Sequence, residues 1–160
     1  MDESILVRLT LDAVQSTCES NGNWPSPAAR TPAGLPRVIL TILTYSYAVG
    51  IYASEEIAAR ICSDPNLRYL SAGARPTWHE LRRFRRPSRA VIQQALSRLF
   101  ESAWQFRLWP VAEIPATDPE WRDRLAGSDC AGAMREPLIA RATDDRINQA
   151  VWWDSMALDE

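Results

Sequence analysis

Four arginines crowd into five positions in the middle of the chain, and their chemistry points to an anionic ligand. They lie within residues 81–86, Leu-Arg-Arg-Phe-Arg-Arg. At about 100° per residue, a helix continued through this segment places four arginines on one side, with Leu81 and Phe84 on the other. The arginines on this side are Arg82, Arg85 and Arg86 of the segment and Arg89, three residues beyond it. Guanidinium groups this close repel one another unless an anion lies among them, and phosphate is a natural bidentate partner.

Residues flanking this group extend the predicted interface. Trp78 and His79 fall in the first turn of the same helix, the turn that meets base edges in a recognition helix. In such positions, however, a residue like Trp78 is more often part of the core or a hinge, and one like His79 more often an ordinary surface group. Phosphate contacts would position the protein, while Trp78, His79 or Arg82 could read base edges. The predicted nucleic-acid-binding residues are Arg75, Trp78, His79, Arg82, Arg83, Arg85, Arg86 and Arg89.

The charge of the 160-residue chain is distributed unevenly along its length. All 18 basic residues are arginine. We take a GC-rich genome as the main cause rather than selection for phosphate binding, although the guanidinium groups are present either way. The net charge is −2, but residues 37–107 hold eleven arginines and five acids (+6), and residues 108–160 hold five arginines and eleven acids (−6). A basic block favours a nucleic-acid partner. The alternative is that the two parts neutralise each other within one fold.

Catalytic and metal-binding signals are weak. The sequence contains no GxGxxG, P-loop, GxSxG or HExxH motif. Three scattered cysteines and the single His79 argue against zinc or disulfides and fit a reducing cytoplasm. We expect the acids of the tail at helix starts and on solvated faces, namely Asp118, Glu120, Asp123, Asp129, Asp144, Asp145 and Asp154. We therefore predict no enzyme activity, no metal, no cofactor and no small-molecule substrate.

The elements that position these residues all read as helices, so the predicted fold class is all-α, a compact bundle of six to seven short helices. Residues 2–20 alternate partly like a strand, but a helix is favoured. A turn-rich linker follows. The remaining predicted helices run from Pro36 to Gly50, over 54–63 with Ser54 as its cap, over 66–72 after Asp64-Pro65, and from the Thr77–Glu80 capping box. Ser88 is predicted to cap the next helix, which runs through Trp104. A short helix follows from Asp118-Pro119-Glu120 to Gly127, and the last runs from Asp144 to Met156. The uncharged run 38–54 is too short and polar to span a membrane.

The order of the helices predicts how the chain is organised. Helix 54–63, a short helix, a turn at Gly73 and then the arginine helix resemble a helix-turn-helix variant. We divide the chain into an N-terminal helix with a Pro/Gly-rich linker (1–34), a helical DNA-binding domain (35–107) and an acidic helical tail (108–160).

An ordered series of motifs over residues 35–107 resembles a known family. The motifs are Leu35-Pro36-Arg37-Val38-Ile39-Leu40, Tyr45-x-Tyr47-x-x-Gly50, Ser54-Glu55-Glu56-Ile57, Asp64-Pro65-Asn66-Leu67-Arg68-Tyr69-Leu70-Ser71-Ala72-Gly73, Arg75-Pro76 and Leu81-x-x-Phe84-Arg85. The series is similar to the helical N-terminal domain of InsH-like bacterial insertion-sequence transposases. The resemblance implies a module that binds duplex DNA such as transposon ends.

Two departures from the family limit what the resemblance implies. Thr77 stands where the family has Asp, and Glu80 where it often has Thr. Family members also continue into an RNase-H-like nuclease domain with an Asp-Asp-Glu metal triad, for which the 53 residues after Arg107 are too few. The expectation is a non-catalytic module from a truncated, split or domesticated transposase.

A second hypothesis is a helical protein-interaction or regulatory domain. Its acidic tail would cover the arginine face and modulate binding. Seven tryptophans are many for this length, and aromatic residues are enriched at interfaces, so a homodimer would be one way to bury them. Those in or after the last core helix are Trp104, Trp109, Trp121, Trp152 and Trp153.

Overall fold

A computed structural model describes residues 3–22, 24, 34–106 and 131–156 of the protein. Within these residues there are seven helices and no strands, which confirms the all-α prediction. The helices are α1 (Glu3–Ser20), α2 (Leu35–Val49), α3 (Ser54–Ser63), α4 (Pro65–Leu70), α5 (Trp78–Arg85), α6 (Arg89–Gln105) and α7 (Ala131–Met156). The helix predicted to end at Gly127 lies outside the described residues.

Helix α2 forms the centre of the bundle. Every residue from Ile39 to Ala48 is buried, as expected for a helix that is apolar on most sides and enclosed by other helices. It ends at Gly50, whose left-handed φ of 88° lets its backbone N–H bond back to the carbonyls of Ser46 and Tyr47. This is the C-terminal stop that the sequence predicted.

One hydrophobic core draws on all three of the predicted segments. In α1, Leu6, Ala13 and Val14 are buried at helical spacing, which confirms helix over strand for this ambiguous stretch. Helix α6 packs against both α1 and α2. Helix α7 adds Ile147 and Ala150 to the same core, so the acidic tail contributes to the folding of the bundle.

The helix starts follow the expected capping chemistry at two places and depart from it at two others. Asp64 caps α4 by accepting the backbone N–H of Asn66 (2.8 Å), and Thr77 forms the predicted capping box at α5. Ser54 is instead the first residue of α3, after Ala53. Ser88 precedes α6 without a side-chain capping bond.

Helix α7 is longer than the sequence suggested and runs antiparallel to α6. It begins at Ala131, ahead of the predicted start at Asp144, and passes through Pro137. Polar pairs join it to α6 along its length: Arg135 with Glu101 (3.2 Å), Asp144 with Gln93 (3.0 Å) and Asn148 with Arg89 (2.9 Å).

In the described part of the chain, no single helix has the length and apolarity needed to cross a bilayer. Helices α2 and α3 together would meet those criteria by length and composition only, with a bend of 100° between them.

Candidate nucleic-acid-binding groove

The short helix α5 presents two different residue types to the interior. Leu81 is fully buried, and Arg85, one turn later, is only 8% exposed. These positions are about 40° apart around a helix, so a helix that buries Leu81 also draws in Arg85. The predicted separation of Arg85 from the apolar side of α5 is therefore wrong.

The guanidinium group of Arg85 is buried because α7 supplies its partners. Its Nη1 donates to the backbone carbonyl of Ala150 (3.0 Å) and to the carboxylate of Asp154. Asp154 is 3% exposed and also accepts the backbone N–H (2.9 Å) and hydroxyl (2.7 Å) of Ser54. This carboxylate thus lies at the N-terminus of α3, where the helix dipole favours negative charge.

Helix α7 also partly covers Arg82 and Arg89. Arg82 donates through Nη2 to the carbonyl of Asp154 (3.0 Å), and its Nε lies 3.9 Å from the carboxylate. Arg89 donates to the side chain of Asn148 (2.9 Å). Arg82, Arg85 and Arg89 do share one side, as predicted, and that side lies against α7 rather than facing open solvent.

An open groove remains between α5 and α7, with a volume of about 700 Å³. Five guanidinium groups and one carboxylate line it among the described residues. Its lining residues are His79, Arg82, Arg83, Arg85, Arg86, Pro87, Arg89, Ile147, Val151, Asp154 and Ser155. We call this surface the arginine groove.

The predicted site residues differ in exposure. Arg75, His79, Arg83 and Arg86 are exposed, whereas Arg82, Arg89 and Trp78 are half-buried. Arg75 does not line the arginine groove but a separate cavity with Arg68 and Cys62. The structure therefore brings six of the eight predicted residues to the groove, with Trp78 beside it.

Trp78, His79 and Arg82 form a stack at the end of the groove. The rings of Trp78 and His79 lie with their centroids 3.4 Å apart at an angle of 28°. The guanidinium carbon of Arg82 lies 4.8 Å from the centroid of the Trp78 ring, within the range of a cation–π contact. Trp78 thus supports both neighbours, and His79 remains exposed at the surface.

Asp154 was expected on a solvated face but is buried, and its role in the site was not predicted. A usable signal was present, because Ile147, Ala150 and Asp154 recur at i, i+3 and i+7 and share a helix face. The first two are buried, so the third is buried as well. What the spacing does not give is the identity of the buried partners, Arg85 and Ser54, which lie 69 and 100 residues away.

Two further ionisable groups lie in the buried polar region behind the groove. Burial raises the pKa of Tyr47, against the opposing effect of the Arg85 charge. Arg146 donates to the carbonyl of Tyr47 (2.9 Å) and the hydroxyl of Tyr52 (3.2 Å), and burial lowers its pKa. Its guanidinium carbon also lies 5.0 Å from the centroid of the Phe100 ring. These groups anchor α7 to the central helix.

Within the described ranges, no three His, Cys, Asp or Glu side chains are grouped so as to hold a metal ion. The tail acids Asp118, Glu120, Asp123 and Asp129 lie outside those ranges. No family model, curated protein or solved structure matches the chain. The transposase resemblance therefore stays an expectation from the sequence.

Proposed function

We propose that the protein is a non-catalytic DNA-binding module that binds the phosphate backbone through the arginine groove. The observation that supports this most directly is the charge of the groove, five guanidinium groups against one carboxylate. A concave surface with this excess of one sign attracts polyanions.

The carboxylate of Asp154 does not neutralise the whole groove. It is already bonded to Arg85 and Ser54 and is close to Arg82. Arg83 and Arg86 are exposed on the open side, and Arg89 shares only one of its nitrogens with Asn148. Phosphate oxygens would relieve the repulsion among these three and accept bidentate hydrogen bonds.

The order of the helices also supports the proposal. Helices α3, α4 and α5 follow one another in the order expected of a helix-turn-helix variant, and α3 packs against both of the others. The resemblance to insertion-sequence transposases suggests transposon ends as the DNA, and the cysteine usage suggests a cytoplasmic location.

The test is a salt titration of DNA binding with charge-matched variants. R83Q/R86Q removes two exposed arginines of the groove, whereas the control R8Q/R37Q removes two exposed arginines elsewhere. The wild type should show a log–log salt slope near −0.9 per neutralised phosphate on duplex DNA. R83Q/R86Q should weaken binding and reduce the slope by about 1 per lost contact, while the control keeps the wild-type slope.

Two results would contradict the proposal. One is an absence of DNA binding at tens of micromolar protein in low salt. The other is an equal loss of affinity in R83Q/R86Q and R8Q/R37Q, because binding would then follow total charge rather than the groove.

A second candidate function, a regulatory or protein-interaction domain, is favoured by the position of α7. This helix lies over Arg82, Arg85 and Arg89 and presents exposed apolar side chains near its end, including Trp152 (52% exposed) and Trp153 (46% exposed). Light scattering of the wild type and of W152S/W153S tests whether these residues join two copies. A dimer mass that the double variant reduces to a monomer would favour this candidate.

A further inference from the structure

We propose that the arginine groove binds one single strand of nucleic acid, with a base stacked on His79 and the adjoining phosphates on Arg83 and Arg86. This inference rests on the proposed function and deepens it by naming the form of the nucleic acid. The form of the nucleic acid inferred here, a single strand, differs from the duplex DNA predicted from the sequence.

The structure around α5 is too wide for the major groove of a duplex. A major groove about 12 Å wide admits one helix of about 10–12 Å diameter. Helix α5 does not project alone, because α7 lies alongside its arginine face. Ala150 and Asp154 of α7 are bonded to α5, and Asn148 is bonded to Arg89, the first residue of α6. Two helices packed 8–10 Å apart are too wide to enter together. Although α3, α4 and α5 follow the order of a helix-turn-helix variant, α5 therefore cannot present its arginine face to a major groove.

The aromatic stack at Trp78 and His79 offers an exposed ring to an unpaired base. Trp78 has the His79 ring on it at 3.4 Å and the Arg82 guanidinium group at 4.8 Å, so its neighbours are held in place. His79 is exposed and lines the groove, which leaves it able to receive an additional ring. An unpaired base stacks on such a side chain. In a duplex the bases are already stacked on one another, and His79 would contribute nothing.

The size and charge of the arginine groove also suit a single strand. At about 700 Å³, the groove falls within the 300–1,000 Å³ that small ligands occupy, which suits individual nucleotides of a strand better than a double helix. The exposed arginines Arg83, on the same helix, and Arg86, directly after it, line the groove together with His79. A cationic groove bordered by an aromatic platform is the arrangement that binds single strands with little sequence preference.

The experiment compares three labelled probes of equal length by fluorescence anisotropy: a 12-nucleotide oligothymidylate, a 12-unit abasic strand and a 12-base-pair duplex. The oligothymidylate should bind more tightly than both others, because it alone offers phosphates and unpaired bases. Equal affinity for the abasic strand would overturn the stacking, and equal or tighter binding of the duplex would overturn the single strand.

Substitutions of His79 give a second readout. H79A should weaken oligothymidylate binding about five- to hundredfold and leave the abasic strand unaffected, while H79F should restore the wild-type affinity because a phenyl ring also stacks. An equal effect of H79A on both strands, or no effect, would overturn the inference. His79 is exposed, so circular dichroism should show unchanged folding in both variants.

The two proposals fail in distinguishable ways. If no probe binds in low salt, the proposed function is wrong and this inference with it. If the duplex binds best and R83Q/R86Q abolishes that binding, the arginine groove is a nucleic-acid site and only the single-strand inference is wrong.

Discussion

The pairing of Arg85 with Asp154 is the clearest case in which one residue's environment reverses what its type suggests. An arginine beside three others is normally a solvated or ligand-binding group. Here the guanidinium group is satisfied by Ala150 and by a carboxylate that also binds Ser54. This network joins α3, α5 and α7 at one buried point.

Removing this carboxylate should be costly. Asp154→Ala leaves the Arg85 charge buried without its counter-ion, which typically costs about 3–5 kcal/mol in the free energy of unfolding. Asp145→Ala is the matched control, since its ion pair with Arg141 (3.7 Å) is exposed and such pairs contribute only about 0–1 kcal/mol. Urea denaturation measures both. Similar losses in the two variants would show that the buried network adds nothing.

At the scale of the element, the two helix starts on either side of the arginine-rich segment differ in their capping chemistry. Thr77 and Glu80 exchange bonds at the start of α5, with Thr77 N donating to the Glu80 carboxylate at 2.7 Å and Glu80 N donating to the Thr77 hydroxyl at 3.3 Å. Ser88 occupies the corresponding position before α6 without such a bond. Both residues looked like caps in the sequence.

The two positions should therefore respond differently to alanine. Thr77→Ala should lower the free energy of unfolding by about 1 kcal/mol through the lost cap. Ser88→Ala should stay within about 0.5 kcal/mol, as do surface substitutions away from specific interactions. Thermal or urea denaturation followed by circular dichroism provides the comparison. A larger loss in Ser88→Ala would contradict the assignment of the caps.

These helices also show how far the sequence predicts the fold and where it stops. Capping boxes and glycine stops depend on neighbouring residues, so the start of α5 and the end of α2 at Gly50 were predicted. The start of α7 was predicted at Asp144 but lies at Ala131, because the packing of this helix along α6 is not encoded in the local sequence pattern. The arginines of the groove were predicted from the sequence. Their partial burial by α7 was not predicted, because local sequence patterns do not encode the contact between α5 and α7.

At the scale of the whole molecule, helix α7, the described part of the acidic tail, belongs to the core. Ile139, Ile147 and Ala150 of α7 are buried in the same cluster as the central helix. Among the described residues, the basic middle and the acidic end of the chain meet in the network around Asp154 and in the ion pair of Arg135 with Glu101.

Deleting residues 131–160 should accordingly unfold the protein. Each buried isoleucine contributes about 1.5–3 kcal/mol, and the loss of these and of the Asp154 network approaches the 5–15 kcal/mol that stabilises a typical domain. Circular dichroism should show no cooperative thermal transition in the truncated chain. A truncated protein that stays folded and binds DNA more tightly would instead indicate that α7 is a removable inhibitory element.

The bond between Ser54 and Asp154 spans 100 residues, and this separation has a consequence for biosynthesis. Translation proceeds at about 5–20 residues per second, so Ser54 leaves the peptidyl-transferase centre roughly 5–20 seconds before Asp154 is added. Arg85 lies 69 residues before Asp154, so for the later part of that interval the nascent chain has the Arg85 cation without its counter-ion and an apolar surface without its cover. The buried network that joins α3, α5 and α7 therefore cannot form until α7 has been synthesised.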